Sequence, residues 1–210
     1  MTIAVLADEG LKNELLARDV RDDVNFVWAD SLRALTIIEA DLYMDLLFEL
    51  DNERTSRLKQ LLSKPVLVNA VPYTTNTIGQ DFIRINAWPT FLQRDILEIA
   101  LPAAVSEETI APILNEINWK YTLVPDIAGM ITPRVVSMII NEAYYTLGDG
   151  VSTREEIDVA MKLGTNYPMG PFEWAGKIGL HRVYELLKEM GRTDERYAIA
   201  PALLEEIQNG

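Results

Sequence analysis

The sequence predicts a doubly wound α/β sheet followed by an all-α helical domain, and three observations carry that expectation. Over residues 1–125, short apolar runs alternate with amphipathic stretches. From about Asp126 onward the periodicity is helical throughout. Within that second part, glycine, proline and capping residues divide the pattern into separate helices. Two domains are therefore expected, 1–125 and 126–210.

Residues 2–7 read as a buried strand, and residues 11–17 as a helix with leucines on one face. A second strand at 24–28 precedes a helix at 31–39 with Ser31 as cap. A third apolar run at 42–48, a charged helix at 54–62 and a fourth strand at 65–69 continue the alternation. Helical stretches of this length between strands imply parallel pairing through crossover helices. Further strands are expected at 81–87, 95–101 and 120–124, with a helix from Ser106 to Trp119 between the last two. In the second part, residues 131–147 are nearly continuously apolar and stop at Gly148-Asp149-Gly150. Ser152-Thr153-Arg154-Glu155 has the spacing of a capping box. Pro171 suits the first position of the next helix, and two more helices follow near 181–190 and 201–208.

Composition narrows the chemistry. With no cysteine among 210 residues, disulfides, zinc-thiolate sites and thiol nucleophiles are excluded. The formal charge of −13, from 19 Lys and Arg against 32 Asp and Glu, opposes nucleic-acid binding, and no basic patch offsets it. No apolar run approaches the roughly 20 residues of a membrane span. Without a basic start and long apolar stretch, a cytoplasmic protein is expected. The one histidine, His181, is the only residue of its type that could serve as a base, and its place at a helix start suits a surface or capping role.

Several motifs in the second part carry a resemblance. They are Asn141-Glu142-Ala143, Gly150 through Asp158, Ala160 through Gly164, Tyr167-Pro168-Met169-Gly170-Pro171-Phe172-Glu173 and Ile178-Gly179-Leu180. In this order and spacing they resemble the C-terminal helical domain of the 3-hydroxyacyl-CoA dehydrogenase family. The resemblance implies a Rossmann-like first domain, an acyl-CoA substrate, NAD as cofactor and a dimer formed through the helical domain, residues 126–210. Taken singly, the same residues also suit purely structural work as caps and tight turns.

Laid against the family's dinucleotide domain, the first part departs from the pattern. The family's Gly-x-Gly-x-x-Gly turn, which receives the cofactor pyrophosphate, falls on Ala7, Asp8, Glu9, Gly10, Leu11 and Lys12, with Ala7, Glu9 and Lys12 in place of the glycines. The acid expected at the end of the second strand falls on Trp28, with Asp30 two positions late. No cofactor is therefore expected, and no residue is assigned to binding a cofactor or metal. The segment from Arg84 to Glu98 resembles the stretch that carries the family's catalytic histidine and glutamate. Asn86 stands at the histidine's position and Glu98 at the glutamate's. An amide offers no basic lone pair near neutral pH, which removes Asn86 as a general base and leaves Glu98 as a relic. The family's serine falls on Val71, two residues after Asn69 and close to Thr74 and Thr75, and its substrate-binding asparagine on Pro133.

Three functions remain open. The first is a family member without hydride transfer, a homodimer that binds a partner or an acyl-CoA-like small molecule. The second is an active NAD-dependent dehydrogenase with atypical catalytic residues. The third is a structural subunit of a fatty-acid-oxidation assembly.

Overall fold

The structure is a computed structural model that describes residues 1–209. Its contacts divide the chain into two compact units, Met1–Met130 and Ile131–Gly210.

The first unit is built on one seven-stranded sheet of order β2-β1-β3-β4-β5-β6-β7. Its strands are β1 (Thr2–Leu6), β2 (Asn25–Ala29), β3 (Leu42–Asp45), β4 (Val66–Val68), β5 (Ile83–Ile85), β6 (Ile96–Ala100) and β7 (Lys120–Leu123). Helices α1 (Glu9–Leu16), α2 (Leu32–Ile37), α3 (Asn52–Leu58), α4 (Thr75–Ile78) and α5 (Glu107–Glu116) lie between them. Period-two alternation sends Ile3 and Val5 into a core with Leu11 and Leu15 of α1 and Ile110 and Leu114 of α5. Ala4 and Leu6 point the other way, into a core with Leu35 of α2 and Leu58 of α3. Helices thus cover both faces, so β3 and β4 are buried at every position, and both read as apolar runs apart from Asp45 at the end of β3.

Pairing is parallel from β2 through β5, as the crossover helices predict. The β5–β6 pair is antiparallel, which departs from the all-parallel expectation. Residues 86–95 contain no helix to carry the chain across the sheet, so it turns back beside the strand it has left. β6 and β7 are joined through α5 and are parallel again. The short helix α4 was not expected from the sequence; the carboxylate of Asp126 accepts the Thr75 backbone N–H and so caps its start from a distance.

The second unit is helical: α6 (Thr132–Gly148), α7 (Arg154–Thr165), α8 (Pro171–Ile178), α9 (Leu180–Gly191) and α10 (Pro201–Asn209). α6 packs on α8, α9 and α10, and α7 packs on α8. The capping box sits one residue later than the sequence spacing suggests, on Thr153 and Glu156. Ser152 instead donates its hydroxyl to Glu156 Oε2 at 2.6 Å. Side chains finish the neighbouring backbone elsewhere too. Asn141 donates to Ala198 O at 2.8 Å and accepts from Ala200 N at 2.9 Å, pinning the segment before α10. The buried Asp158 accepts from Phe172 N at 2.8 Å and Glu173 N at 3.1 Å, capping α8 from α7. Of the apolar residues of α6, Ile140, Ala143 and Tyr144 are buried, whereas Val135 is 54% exposed. Met138, Ile139 and Leu147 are partly exposed.

Candidate functional site

In a doubly wound sheet, ligands bind beyond the carboxyl ends of the strands where the strand order reverses, here at β1, between β2 and β3. The residues at those ends define the candidate site of the first unit.

Beyond β1, the two-residue turn Ala7-Asp8 leads into α1. Asp8 is extended, and its Oδ1 accepts the Leu11 N–H at 2.8 Å. A Cβ on Gly10 would lie 3.3 Å from that oxygen, so the carboxylate lies over the first turn of the helix. Glu9 and Lys12 pair at 3.6 Å, and Lys12 Nζ lies 5.2 Å from the centre of the Trp28 ring, which stacks on Phe26. Asp30 is exposed and accepts from Ser31 Oγ at 3.0 Å, while Ser31 caps α2 as expected.

Beyond β3 lies a feature that sequence reasoning missed. Asp45 is fully buried and takes both arms of Arg54, at 2.7 and 2.6 Å. Burial pushes its carboxyl above the ordinary range, and the Arg54 guanidinium pulls the other way. The visible signal was a single acid inside the apolar run 42–48.

At the end of β4, the Asn69 amide donates to Leu46 O and Ala87 O and accepts from Ala87 N, all at 3.0–3.1 Å. It fastens the ends of three strands together. Val71 is buried, and its carbonyl accepts from Arg84 Nη2 at 3.1 Å and Gly129 N at 2.9 Å. Thr75 Oγ1 donates to Asp126 at 2.6 Å, whereas Thr74 pairs with Thr77 at the surface.

Asn86 and Glu98 are brought together. Asn86 follows β5 and donates its backbone N–H to Glu98 O at 3.1 Å, which makes the two residues cross-strand neighbours on β5–β6. Both are buried, Asn86 at 3% and Glu98 at 9% exposure. The Asn86 side-chain oxygen faces the Trp88 N–H at 3.4 Å. Arg94 lies near enough to Glu98 to feel its charge. Pro133 and His181 belong to the second unit. Pro133 is buried in the first turn of α6, and the His181 side chain is 75% exposed on α9, 4.0 Å from Glu185. Among the described residues no cluster of three or more His, Cys, Asp or Glu could hold a metal ion, and no helix is long and apolar enough to cross a membrane.

Beneath these ends lies a second network that sequence reasoning missed. Arg84 of β5 is fully buried and pairs with Asp126 at 2.5 Å. Its remaining nitrogens donate to Ala70 O, Val71 O and Ile127 O at 3.1–3.3 Å. Burial lowers the Arg84 guanidinium below its ordinary value, with Asp126 opposing.

Comparisons with known proteins bear on both units. Residues 129–209 match the sequence profile of the 3-hydroxyacyl-CoA dehydrogenase C-terminal domain. A 3-hydroxyadipyl-CoA dehydrogenase of Escherichia coli is 43% identical over 76 residues, 35% of this chain and 16% of that protein. A 3-hydroxybutyryl-CoA dehydrogenase of Clostridioides difficile is 30% identical over 151 residues, 70% of this chain and 52% of that protein. The chain thus spans about half or less of these relatives. The crystal structure of (S)-3-hydroxybutyryl-CoA dehydrogenase from Ralstonia eutropha superposes with a TM-score of 0.75 at 19% identity, covering 100% of this chain and 94% of that one. An Escherichia coli 3-hydroxybutyryl-CoA dehydrogenase gives a TM-score of 0.75 at 16% identity, covering 100% of this chain and 57% of that one. At such identities the superpositions establish the fold, Rossmann-like with a helical segment after it. Fold, ordered motifs and sequence match agree, and the chain belongs to the 3-hydroxyacyl-CoA dehydrogenase family.

Proposed function

We propose that this chain is a family member of the fatty-acid and acyl-CoA metabolism type that does not transfer hydride and acts by binding a partner or an acyl-CoA-like ligand. The turn after β1 carries this reading. A dinucleotide pyrophosphate needs bare amides at the helix N-terminus. Here the Asp8 carboxylate already takes the Leu11 amide, and Ala7, Glu9 and Lys12 carry side chains at the positions where the family's turn has bare glycines. An anion brought to about 4 Å from such a carboxylate is opposed by roughly 4 kcal/mol at a near-surface dielectric. These residues do not fit NAD, so no step through it is derived.

The catalytic positions support the same reading. The Asn86 amide cannot take a proton from a substrate hydroxyl, and Val71 and Pro133 bring no side-chain hydrogen-bonding group. The second reading, an active NAD-dependent 3-hydroxyacyl-CoA dehydrogenase, draws support from the relatives, which are themselves named as dehydrogenases. It makes Glu98, the buried carboxylate across the strand from Asn86, the candidate base. Calorimetric titration with NADH separates the two. The first reading expects no binding at physiological concentration and no oxidation of NADH with acetoacetyl-CoA. A micromolar dissociation constant, with turnover that Glu98→Gln abolishes, establishes the second.

The helical unit supports a homodimer. Val135, Val159 and Leu163 are 54%, 49% and 83% exposed, and α6 is apolar on several faces. A two-fold interface over these helices would bury on the order of 2,000 Å². Light scattering is expected to return twice the 23.7 kDa chain mass, and Met138→Arg to lower it. A 23.7 kDa particle across the micromolar range rules the dimer out. A structural subunit of a fatty-acid-oxidation assembly would use the same surface, with another chain in place of the second copy.

A further inference from the structure

Four buried polar atoms without hydrogen-bond partners gather where α1 meets the β5–β6 connection and the start of β7. They are Glu14 Oε2, Arg18 Nε, Thr90 Oγ1 and Trp119 Nε1. Their proximity follows from the contacts around them. Glu14 Oε1 accepts the Thr90 N–H at 2.6 Å, and Arg18 Nη1 donates to Leu92 O at 2.6 Å. The Arg18 guanidinium lies 4.8 Å from the centre of the Trp119 ring. Glu14 lies in the last turn of α1, and Arg18 follows its C-cap, Ala17. Thr90, a β-branched residue, is held at φ 77°, a conformation that costs free energy unless its surroundings impose it. A native chain leaves few such atoms unpaired, and a cluster of them calls for an occupant.

A cavity of about 410 Å³ opens beside this cluster, lined by Arg18, Gln93, Arg94, Asp95, Asn118 and Lys120 among others. An adjoining hollow of about 310 Å³ is lined by Trp119 and shares Asn118 and Lys120 with it. Three cationic side chains meet here on a chain whose net charge is −13. Two acids, Asp19 and Asp95, also line it, so the three cations leave one net positive charge, and the Asn118 amide donates to Asp19 at 3.0 Å. Lys120 has no hydrogen-bond or ion-pair partner among the described residues, and the Arg94 guanidinium stacks on Phe91 at 4.3 Å without donating to an acceptor. Burial lowers both guanidinium groups below their ordinary value, with Asp95 opposing at Arg18 and Glu98 at Arg94.

We infer that this cavity is a binding site for the phosphate group of a small molecule, held by Arg94 and Lys120, with Arg18 in its wall and Trp119 behind Arg18. Guanidinium forks match phosphate oxygens in pairs, and a lysine adds a point charge. The site lies on the β5–β6–β7 side of the first unit and uses none of the residues at the carboxyl ends of β1, β3 and β4. It is therefore independent of whether the chain binds NAD.

Titration of the ¹⁵N-labelled chain with inorganic phosphate, followed by nuclear magnetic resonance, tests it. The Trp119 indole resonance, assigned with Trp119→Phe, is expected to shift saturably with a dissociation constant below about 1 mM, while those of Trp28, Trp88 and Trp174 stay in place. Arg94→Gln with Lys120→Gln, both exposed positions, is expected to weaken binding at least about tenfold with the rest of the spectrum unchanged. Acetate in a parallel titration is expected to bind more weakly; equal binding of acetate overturns the assignment to phosphate. Absence of a saturable shift, or a shift that survives the double substitution, overturns the site.

Discussion

Replacing Asp126 with alanine is expected to cost about 3–5 kcal/mol, because it strands a cation in the interior. Arg84 is fully buried, and among the described residues Asp126 is its one carboxylate within ion-pairing distance. The backbone carbonyls of Ala70, Val71 and Ile127 still accept from it, but they supply dipoles and no charge. Thr75 loses the acceptor for both its N–H and its hydroxyl, adding about 1 kcal/mol for each. Against a usual total of about 5–15 kcal/mol, that brings the first unit close to its unfolding midpoint. Urea titration is the measurement: the midpoint should fall while its slope stays constant. Arg84→Met added to Asp126→Ala should recover a large part of the loss, since an apolar residue replaces the stranded charge. A loss under about 1 kcal/mol would mean that the pair contributes no more than an exposed one.

Gly170→Ala is expected to destabilise the helical unit by about 2–4 kcal/mol, combining overpacking with the loss of a helix cap. The reason is steric. Gly170 has an ordinary φ of −73°, yet a Cβ there would fall 2.3 Å from the Asp158 carboxylate. Asp158 cannot withdraw without abandoning the Phe172 and Glu173 amides. Thermal unfolding followed by circular dichroism reads the loss. In the background of Asp158→Ala, the same glycine substitution should cost far less, because the atoms it strikes are gone. Equal costs in the two backgrounds would sink the steric explanation.

How much the sequence reveals depends on the range of the interactions involved. Ser31, Thr153 and Pro171 mark helix starts with residue types whose chemistry acts within one turn, and the starts lie where those residues stand or one position on. The central strands β3 and β4 are legible because burial on both faces leaves them apolar apart from Asp45. The antiparallel β5–β6 pair is not legible, since its direction depends on a connection without periodicity. Asp45 and Arg54 are nine residues apart, and Arg84 and Asp126 forty-two, so nothing local couples them. Of the candidate site, the adjacency of Asn86 and Glu98 follows the spacing that the family resemblance suggests. Asp8 shows in the sequence only as an unwelcome charge; its work as a cap needs the turn's geometry.

That cap has a consequence for any ligand approaching α1. A carboxylate covalently tethered 2.8 Å from the Leu11 amide competes at an effective concentration on the order of millimolar or above. A soluble anion present at micromolar levels loses that contest even before charge repulsion is counted. On the proposed reading, the first turn of α1 is a receptor shipped with its own antagonist, and added dinucleotide is expected to leave the thermal stability of the β1–α1 unit unchanged.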